Sequence, residues 1–445
     1  MKSKNHIIRL RIPQALHQLM LDDLRRPHSF ADERVGFLHS TSKVLADGTV
    51  LVIATEYNRV NDEHYIEDDQ VGAKINSAAI RAAMQRSLEK QGGCFHVHLH
   101  DHGGRPGPSR TDSNSLPSLV ESLGNIAPNQ ANGFLILSQS SFWASIKIPG
   151  EKELLQPEVV SVVGKPMLLA FTGEKKSNDR VYDRQSFLGE SSQFVFENIR
   201  VGIIGYGGGG SHIGQQLAHI GVKNIIIFDD DKVEDTNLNR LVGAWFSDVK
   251  NAVLKTAVAE RVIQQVLPTA NVVRVDSRWQ ENPDLLQACD VVFGNVDSYA
   301  ERQQAEAECR RYLIPYIDIG MDVYQIDDAP HAVAGQVILS VPGSPCMSCF
   351  GFLTEKKLAL EAAKYGKVGG RPQVVWPNGV LASTAVGLFV NLVTNWTQDH
   401  ETPNYLSYDG STGIIQQHVR AQYLTSKDCL HFPLNQVGVP VFVKL

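Results

Sequence analysis

Between Cys94 and Asp112, four histidines, His96, His98, His100 and His102, alternate without a break, followed by a glycine/proline loop and then SRTD. Imidazole is a common zinc ligand. On a continuing strand these side chains would share one face, spaced about 6.5–7 Å apart, so only neighbours in the row can share an ion. A hydrolytic zinc site keeps three protein ligands and one water, so the row offers more histidines than it can use. A second group is glycine-rich: Gly205, Gly207 and Gly210 form a GxGxxG, with Gly208 inside it, and Asp229 ends the next extended run. Such glycines let a backbone approach a phosphate, while an acidic residue about 20 positions on takes a ribose. By itself this fits NAD as well as ATP. Cys346 and Cys349 make a CxxC, which in a reducing compartment points to metal binding or redox chemistry rather than a structural crosslink.

Two α/β units are needed to position these groups. The chain has 445 residues, too many for one ordinary core. In the first half, PQALHQLMLDDLRR and NSAAIRAAMQRSLEKQGG read as helices. GTVLVIATEY, FLILSQSSFWASIKIPG, VVSVVGKPMLLAF and the alternating CFHVHLH read as strands. The polar run FTGEKKSND is the expected linker, which gives domains at 1–170 and 180–445 joined by 171–179. Beyond it, IRVGIIGYGGGG, SHIGQQLAHIG, VKNIIIFDDD, LKTAVAERVIQQVL and DVVFGNVD alternate strand and helix, the rhythm of a parallel sheet with crossover helices. The composition is 43% hydrophobic and 20% charged with a formal net charge of −6, as in a soluble globular protein, and it nominates no nucleic acid. The first twenty residues lack the apolar core of a signal peptide, and no later stretch reaches about 18 uncharged apolar residues. The expectation is a cytoplasmic protein with no membrane segment.

The run from VGIIGYGGGGS to NLNRL resembles the ThiF-like adenylyltransferases, which include the ubiquitin-activating enzymes, over about 180–445. The resemblance implies a Rossmann-like parallel-sheet domain that binds ATP and Mg²⁺. Its motifs fall on Arg184 in YDRQ, often supplied to the phosphates of a neighbouring subunit, on Asn237 and Arg240 as NxxR, on Lys255, and on Asp297 in GNVDS as the magnesium-binding aspartate. The chemistry agrees, because driving a carboxylate against a triphosphate calls for cations (Arg184, Arg240, Lys255) and a metal-holding carboxylate. Hydride transfer needs no such set. The family commonly carries a structural zinc on two CxxC pairs. Cys346 and Cys349 match the first, and Cys429 with His431 stands where the second is expected. Thioester-forming members carry a cysteine where Val375 stands here, so adenylation without a covalent enzyme thioester is expected.

HxH, a loop and SxxD resemble the JAB/MPN metalloproteases, which remove ubiquitin-like modifiers. Taking His98 and His100 as the HxH puts Ser109 and Asp112 in the SxxD, with one loop residue more than usual. His100 with His102 leaves the loop one short, and His96 with His98 lengthens it further. The family's upstream ExxGFL is matched by Glu33, Gly36, Phe37 and Leu38. The resemblance implies that His98, His100 and Asp112 hold Zn²⁺, that Glu33 is the general acid and base, and that Ser109 supports the oxyanion.

Together these imply a mixed α/β JAB/MPN-like domain followed by a ThiF-type domain, two enzymes sharing one substrate, the C-terminal glycine of a ubiquitin-like protein. The resemblance further implies a homodimer and a possible downstream conjugating partner. Competing readings are an NAD-dependent oxidoreductase, adenylation of a peptide or RNA, and a scaffold whose sites have decayed.

Overall fold

Runs of Val, Ile, Leu and Phe broken by glycine and polar turns become strands in both halves, and the amphipathic runs between them become helices. The computed structural model describes residues 6–27, 31–68, 71–173, 180–325, 327–363, 372–398, 402–424 and 429–438. Described residues up to Gly164, with those from Leu168 to 173, form one compact unit; Lys165–Met167 and the residues from 180 on form a second. Most of the expected linker lies outside the described residues, and its first residue, Phe171, ends a strand instead.

The first unit runs β1 (Ile8–Pro13), α1 (Gln14–Leu24), β2 (Val35–Val44), β3 (Val50–Arg59), α2 (Ser77–Lys90), β4 (Gly93–Leu99), α3 (Arg110–Ile126), β5 (Asn132–Leu137), β6 (Phe142–Lys147), β7 (Val159–Val163) and β8 (Leu168–Phe171). Its eight strands pair in the order β6-β5-β4-β2-β3-β1-β7-β8, mixing parallel and antiparallel neighbours. β4 lies inside the sheet and is buried on both faces. Phe95, Val97 and Leu99 join a core with Met20, Leu21 and Leu24 of α1, whereas Cys94 packs with Ala79 and Ala83 of α2 and Leu123 of α3. The two-residue period of a strand therefore puts His96 and His98 on the α2/α3 face.

The second unit runs α4 (Ser192–Asn198), β9 (Arg200–Ile204), α5 (Gly208–Ile220), β10 (Asn224–Phe228), α6 (Phe246–Lys250), α7 (Lys255–Val266), β11 (Asn271–Val275), α8 (Pro283–Gln287), β12 (Val291–Gly294), α9 (Tyr299–Arg311), β13 (Tyr316–Tyr324), β14 (Ala332–Ser340), α10 (Glu355–Ala363), α11 (Val375–Thr394), β15 (Tyr405–Asp409), β16 (Ile414–Gln417) and α12 (Val419–Tyr423). The strand order is β11-β10-β9-β12-β13-β14-β15-β16. The first five are parallel, but β14, β15 and β16 add antiparallel. The sheet is thus mixed, not parallel throughout, because the β13–β14 and β15–β16 connections are too short for a crossover.

The order in which strands are added reverses between the parallel neighbours β9 and β12, and the crevice at the carboxyl ends of those strands is where an open α/β sheet binds ligands. α11 has no charged residue in 20 and is long and apolar enough to cross a membrane. It is instead two-thirds buried, with Phe389 packed on Phe196 and Phe293 inside the unit.

Candidate functional site

Three predicted ligands converge in the first unit. His98 Nε2 lies 3.2 Å from His100 Nε2, and Asp112 Oδ2 lies 3.5 Å from the first and 3.6 Å from the second. Ligands about 2.0–2.2 Å from a tetrahedral zinc stand about 3.3–3.5 Å apart, so these atoms fit one face of such a site with a fourth position open. No ion is needed to hold Asp112 there. Ser109 caps α3: its Oγ accepts the Asp112 N–H at 3.1 Å, while Asp112 Oδ2 accepts the Ser109 N–H at 2.8 Å. The SxxD is therefore both a helix cap and the third corner of the cluster.

Burial works against ionisation of Asp112, but hydrogen bonds from His98 and Ser109 outweigh it and hold the carboxyl well below its usual range. Glu33 stands beside the triangle, Oε1 4.0 Å from His100 Nε2. The histidine row is not one strand face as sequence alone suggests, because β4 ends at Leu99, so His100 and His102 follow it. His102 is exposed and its Nδ1 accepts the Gly104 N–H, away from the triangle. His96 lies behind His98, rings 5.5 Å apart, and burial pushes it down to about 3, so it is neutral.

In the second unit a cavity of about 550 Å³ opens at the sheet crevice. It is lined by Gly205, Gly207 and Gly208 of the loop and by Asp229, Asn237, Arg240, Lys255 and Asp297. Gly205 has φ +82°, which favours glycine, and a Cβ on Gly210 would lie 2.1 Å from the Gly205 carbonyl oxygen. These two glycines close the turn so that α5 begins at Gly208 with its N–H groups at the cavity.

Asp229 Oδ2 accepts the Tyr206 N–H at 2.6 Å, and burial pushes its carboxyl up despite Lys255 at 3.9 Å. Lys255, nearly buried, pairs with Asp231 at 2.5 Å. Asn237 Oδ1 accepts the Glu234 N–H at 3.1 Å, and Arg240 donates to the Thr236 carbonyl at 2.7 Å, which fixes the shape of the NxxR turn. Arg184 is the exception: it is exposed and does not line the cavity of its own chain.

Sequence reasoning missed several cavity residues. Gln373 Nε2 donates to Asp297 Oδ1 at 3.1 Å, and Arg302, four residues past N-cap Ser298, donates to the Val296 carbonyl at 2.9 Å while pairing with buried Asp318. Arg278 and Glu301 also line it. Arg302 is one of six charged residues in α9, so its sequence carried no signal that set it apart.

The cysteines form a third cluster. Sulfurs of Cys346 and Cys349 are 3.6 Å apart, those of Cys349 and Cys429 3.8 Å, and His431 Nδ1 is 3.5 Å from Cys346 and 3.3 Å from Cys349. Tetrahedral zinc with bonds of about 2.3 Å to sulfur and 2.0–2.1 Å to nitrogen sets about 3.7 Å between sulfurs and about 3.5 Å between sulfur and nitrogen. The donor set fits zinc and fills all four positions. Buried Glu306 on α9 accepts the Met347 N–H at 2.9 Å and ties the knuckle to the core.

The model of the ThiF family matches residues 181–430, more than half of the chain and all within the second unit. The chain belongs to the ThiF family. This ThiF-family chain is 28% identical over 191 residues to the SAMP-activating enzyme E1 of Haloferax volcanii, covering 42% of the chain and 67% of that protein. It is 28% identical over 172 residues to ubiquitin-like modifier-activating enzyme 5 of Rattus norvegicus, covering 35% of the chain and 40% of that relative. It thus spans about two thirds of the first and two fifths of the second. Among solved structures it is similar to E. coli MccB with ATP, at 23% identity and a TM-score of 0.44, over 54% of this chain and 71% of that one.

Proposed function

We propose that the second unit adenylates the C-terminal glycine of a ubiquitin-like protein with ATP, and that the first is a zinc-dependent hydrolase of JAB/MPN type acting on amide bonds at such a tail. The observation that carries the adenylation reading is the convergence of the glycine loop, Asn237, Arg240, Lys255 and Asp297 on one cavity in a ThiF-family chain whose relatives are named as activating enzymes. In this reaction a terminal carboxylate oxygen attacks the α-phosphorus of ATP, pyrophosphate leaves, and a glycyl adenylate forms. Arg240 and Lys255 offset the phosphate charge, with Lys255 exchanging Asp231 for phosphate. Asp297 would hold Mg²⁺, which supplies charge neutralisation across the phosphates. Arg184 reaches the phosphates of a second copy in a homodimer. Val375 opens α11 where a thioester cysteine would be needed, so the adenylate passes directly to its acceptor or to a conjugating partner.

For the hydrolase, His98, His100 and Asp112 would hold Zn²⁺, whose Lewis acidity lowers the pKa of a water to near neutrality. Glu33 takes the proton and returns it to the leaving nitrogen. The Ser109 Oγ accepts the Asp112 N–H in the helix cap, which leaves its own proton to donate to the developing oxyanion. A cytoplasmic setting, where Cys346, Cys349 and Cys429 stay reduced, belongs to the same proposal.

ATP–pyrophosphate exchange with small β-grasp proteins ending in glycine tests the reading. Stimulated exchange is expected. ATP binding with no stimulation by any of them would end the ubiquitin-like assignment.

A further inference from the structure

Beside the His98–His100–Asp112 triangle the first unit contains a second cavity, of about 620 Å³. Glu33, His98, Ser109 and Asp112 line one side of it, and the rest combines an apolar wall with the hydroxyls of Thr111, Ser115, Ser118 and Ser122. Ile80 and Met84, one turn apart on α2, face Leu116 and Leu119 of α3, with Val35 and Ile75 between. Ile75, Ile80, Met84 and Leu119 pack against the core of Val35, Phe37, Ala79 and Leu123 yet stay only partly covered. Full burial of such side chains is favourable by roughly 25 cal/mol per Å², so a wall left half covered beside a reactive site gains from an apolar occupant. His96 also lines the cavity, 7% exposed, and its Nδ1 has no hydrogen-bond partner among the described residues. Lys74 at the rim is already paired with Asp68 at 2.8 Å. The one lysine of the lining is thus already paired.

The occupant follows from the chemistry, and the inference rests on the hydrolase reading above. A glycine on the acyl side of the scissile bond has no side chain to fill a cavity next to the metal ligands. We propose that the cavity receives a bulky aliphatic or aromatic side chain from the residue that follows the glycine, so the first unit preferentially trims C-terminal extensions beginning with such a residue. Water adds across the amide: the glycine carbonyl carbon keeps the oxygen as a carboxylate, and the leaving α-amino nitrogen takes the proton. The product is a free glycine carboxylate, the group an adenylating reaction consumes. The hydrolysis therefore stands one step before activation in the reaction sequence.

The test uses the full chain loaded with zinc and two fluorescent peptides that differ only in the residue after glycine, phenylalanine in one and aspartate in the other. Binding is read by anisotropy on the Glu33→Gln protein and cleavage by mass spectrometry on the wild type. The phenylalanine peptide is expected to bind about tenfold or more tightly. Met84→Trp, which fills the cavity from a partly exposed position, should abolish that difference while zinc content and melting temperature hold. Should Met84→Trp misfold, Ile80→Ala, which widens the cavity, is expected to shift the preference towards a larger side chain.

Equal binding of the two peptides, or cleavage that ignores the residue after glycine, overturns the inference and leaves the hydrolase reading intact. Selective binding with no cleavage by the wild type supports the cavity assignment and removes the hydrolase reading instead.

Discussion

Glu33 Oε1 lies 4.0 Å from His100 Nε2, although 66 positions separate the two in sequence, and strand register explains why they meet. β2 pairs antiparallel with β4, with Phe37 opposite His96 and Val35 opposite His98. Continuing that count beyond both strands puts residue 33 opposite residue 100. The alignment is set by the buried faces of β2 and β4, since a one-residue slip would turn Phe37 and Val97 onto the wrong sides of the sheet. Glu33 is thus delivered to the histidine pair by the core.

If Glu33 is the proton carrier, Glu33→Gln removes it with little change of shape. Cleavage of a glycine-linked amide should fall by about 100-fold or more, with zinc content and melting temperature unchanged. Retention of near wild-type cleavage would assign the proton transfer to another group.

Gly72 tests the placement rather than the chemistry. Its carbonyl accepts the Glu33 N–H at 2.9 Å, and a Cβ at this position would lie 2.8 Å from Glu33 Cδ and Oε2. Gly72→Ala should displace the carboxylate and lower kcat by about tenfold or more, while Gly107→Ala, whose Cβ would meet nothing within 4 Å, provides a control for loop substitution. Unchanged kcat in Gly72→Ala would mean that the carboxylate position is not critical.

In the nucleotide cavity, Lys255→Ala and Asp297→Ala should each reduce ATP–pyrophosphate exchange by about 100- to 1,000-fold. Gln373→Ala frees Asp297 from the hydrogen bond that Gln373 Nε2 donates at 3.1 Å and should mainly alter the magnesium concentration at half-maximal exchange. An unchanged magnesium dependence would show that Gln373 does not tune the aspartate.

Much of both sites was legible because their ligands are local. His98, His100, Ser109 and Asp112 sit on one strand end and the next helix start, so spacing alone nearly fixes their geometry. The glycine loop and Asn237–Arg240 turn are equally local. What stayed hidden depends on packing between distant segments: Gln373 on Asp297, Arg302 on Asp318, the end of β4 at Leu99, and the antiparallel strands β14 to β16. His96 and His98 have the same neighbours in sequence pattern and are both buried, and only the approach of His100 and Asp112 to His98 Nε2 separates a ligand from an interior imidazole.

The cysteine cluster has all four positions filled by protein, so its zinc would be structural. Cys349→Ser should lower the zinc content by one ion per chain and the melting temperature by roughly 10 °C, since several kcal/mol are lost in a unit of this size. An unaltered melting curve after complete removal of that zinc would show that the knuckle folds without metal.

Two buried histidines away from every proposed metal are expected to make the first unit less stable in acid. Burial pushes His17 and His39 each down to about 4. Near neutral pH both are uncharged whether the chain is folded or unfolded. As pH falls below about 6.5 the unfolded chain binds the two protons and the folded chain does not, so stability is lost from about 6.5 down through about 4. Each histidine accounts for up to roughly 3 kcal/mol over that window, an upper figure because local opening lets water in. Urea unfolding midpoints measured from pH 7 to pH 4 should fall steadily, and His39→Gln should flatten the slope whatever its stability at pH 7. An equally steep slope in His39→Gln would place the acid sensitivity on other groups.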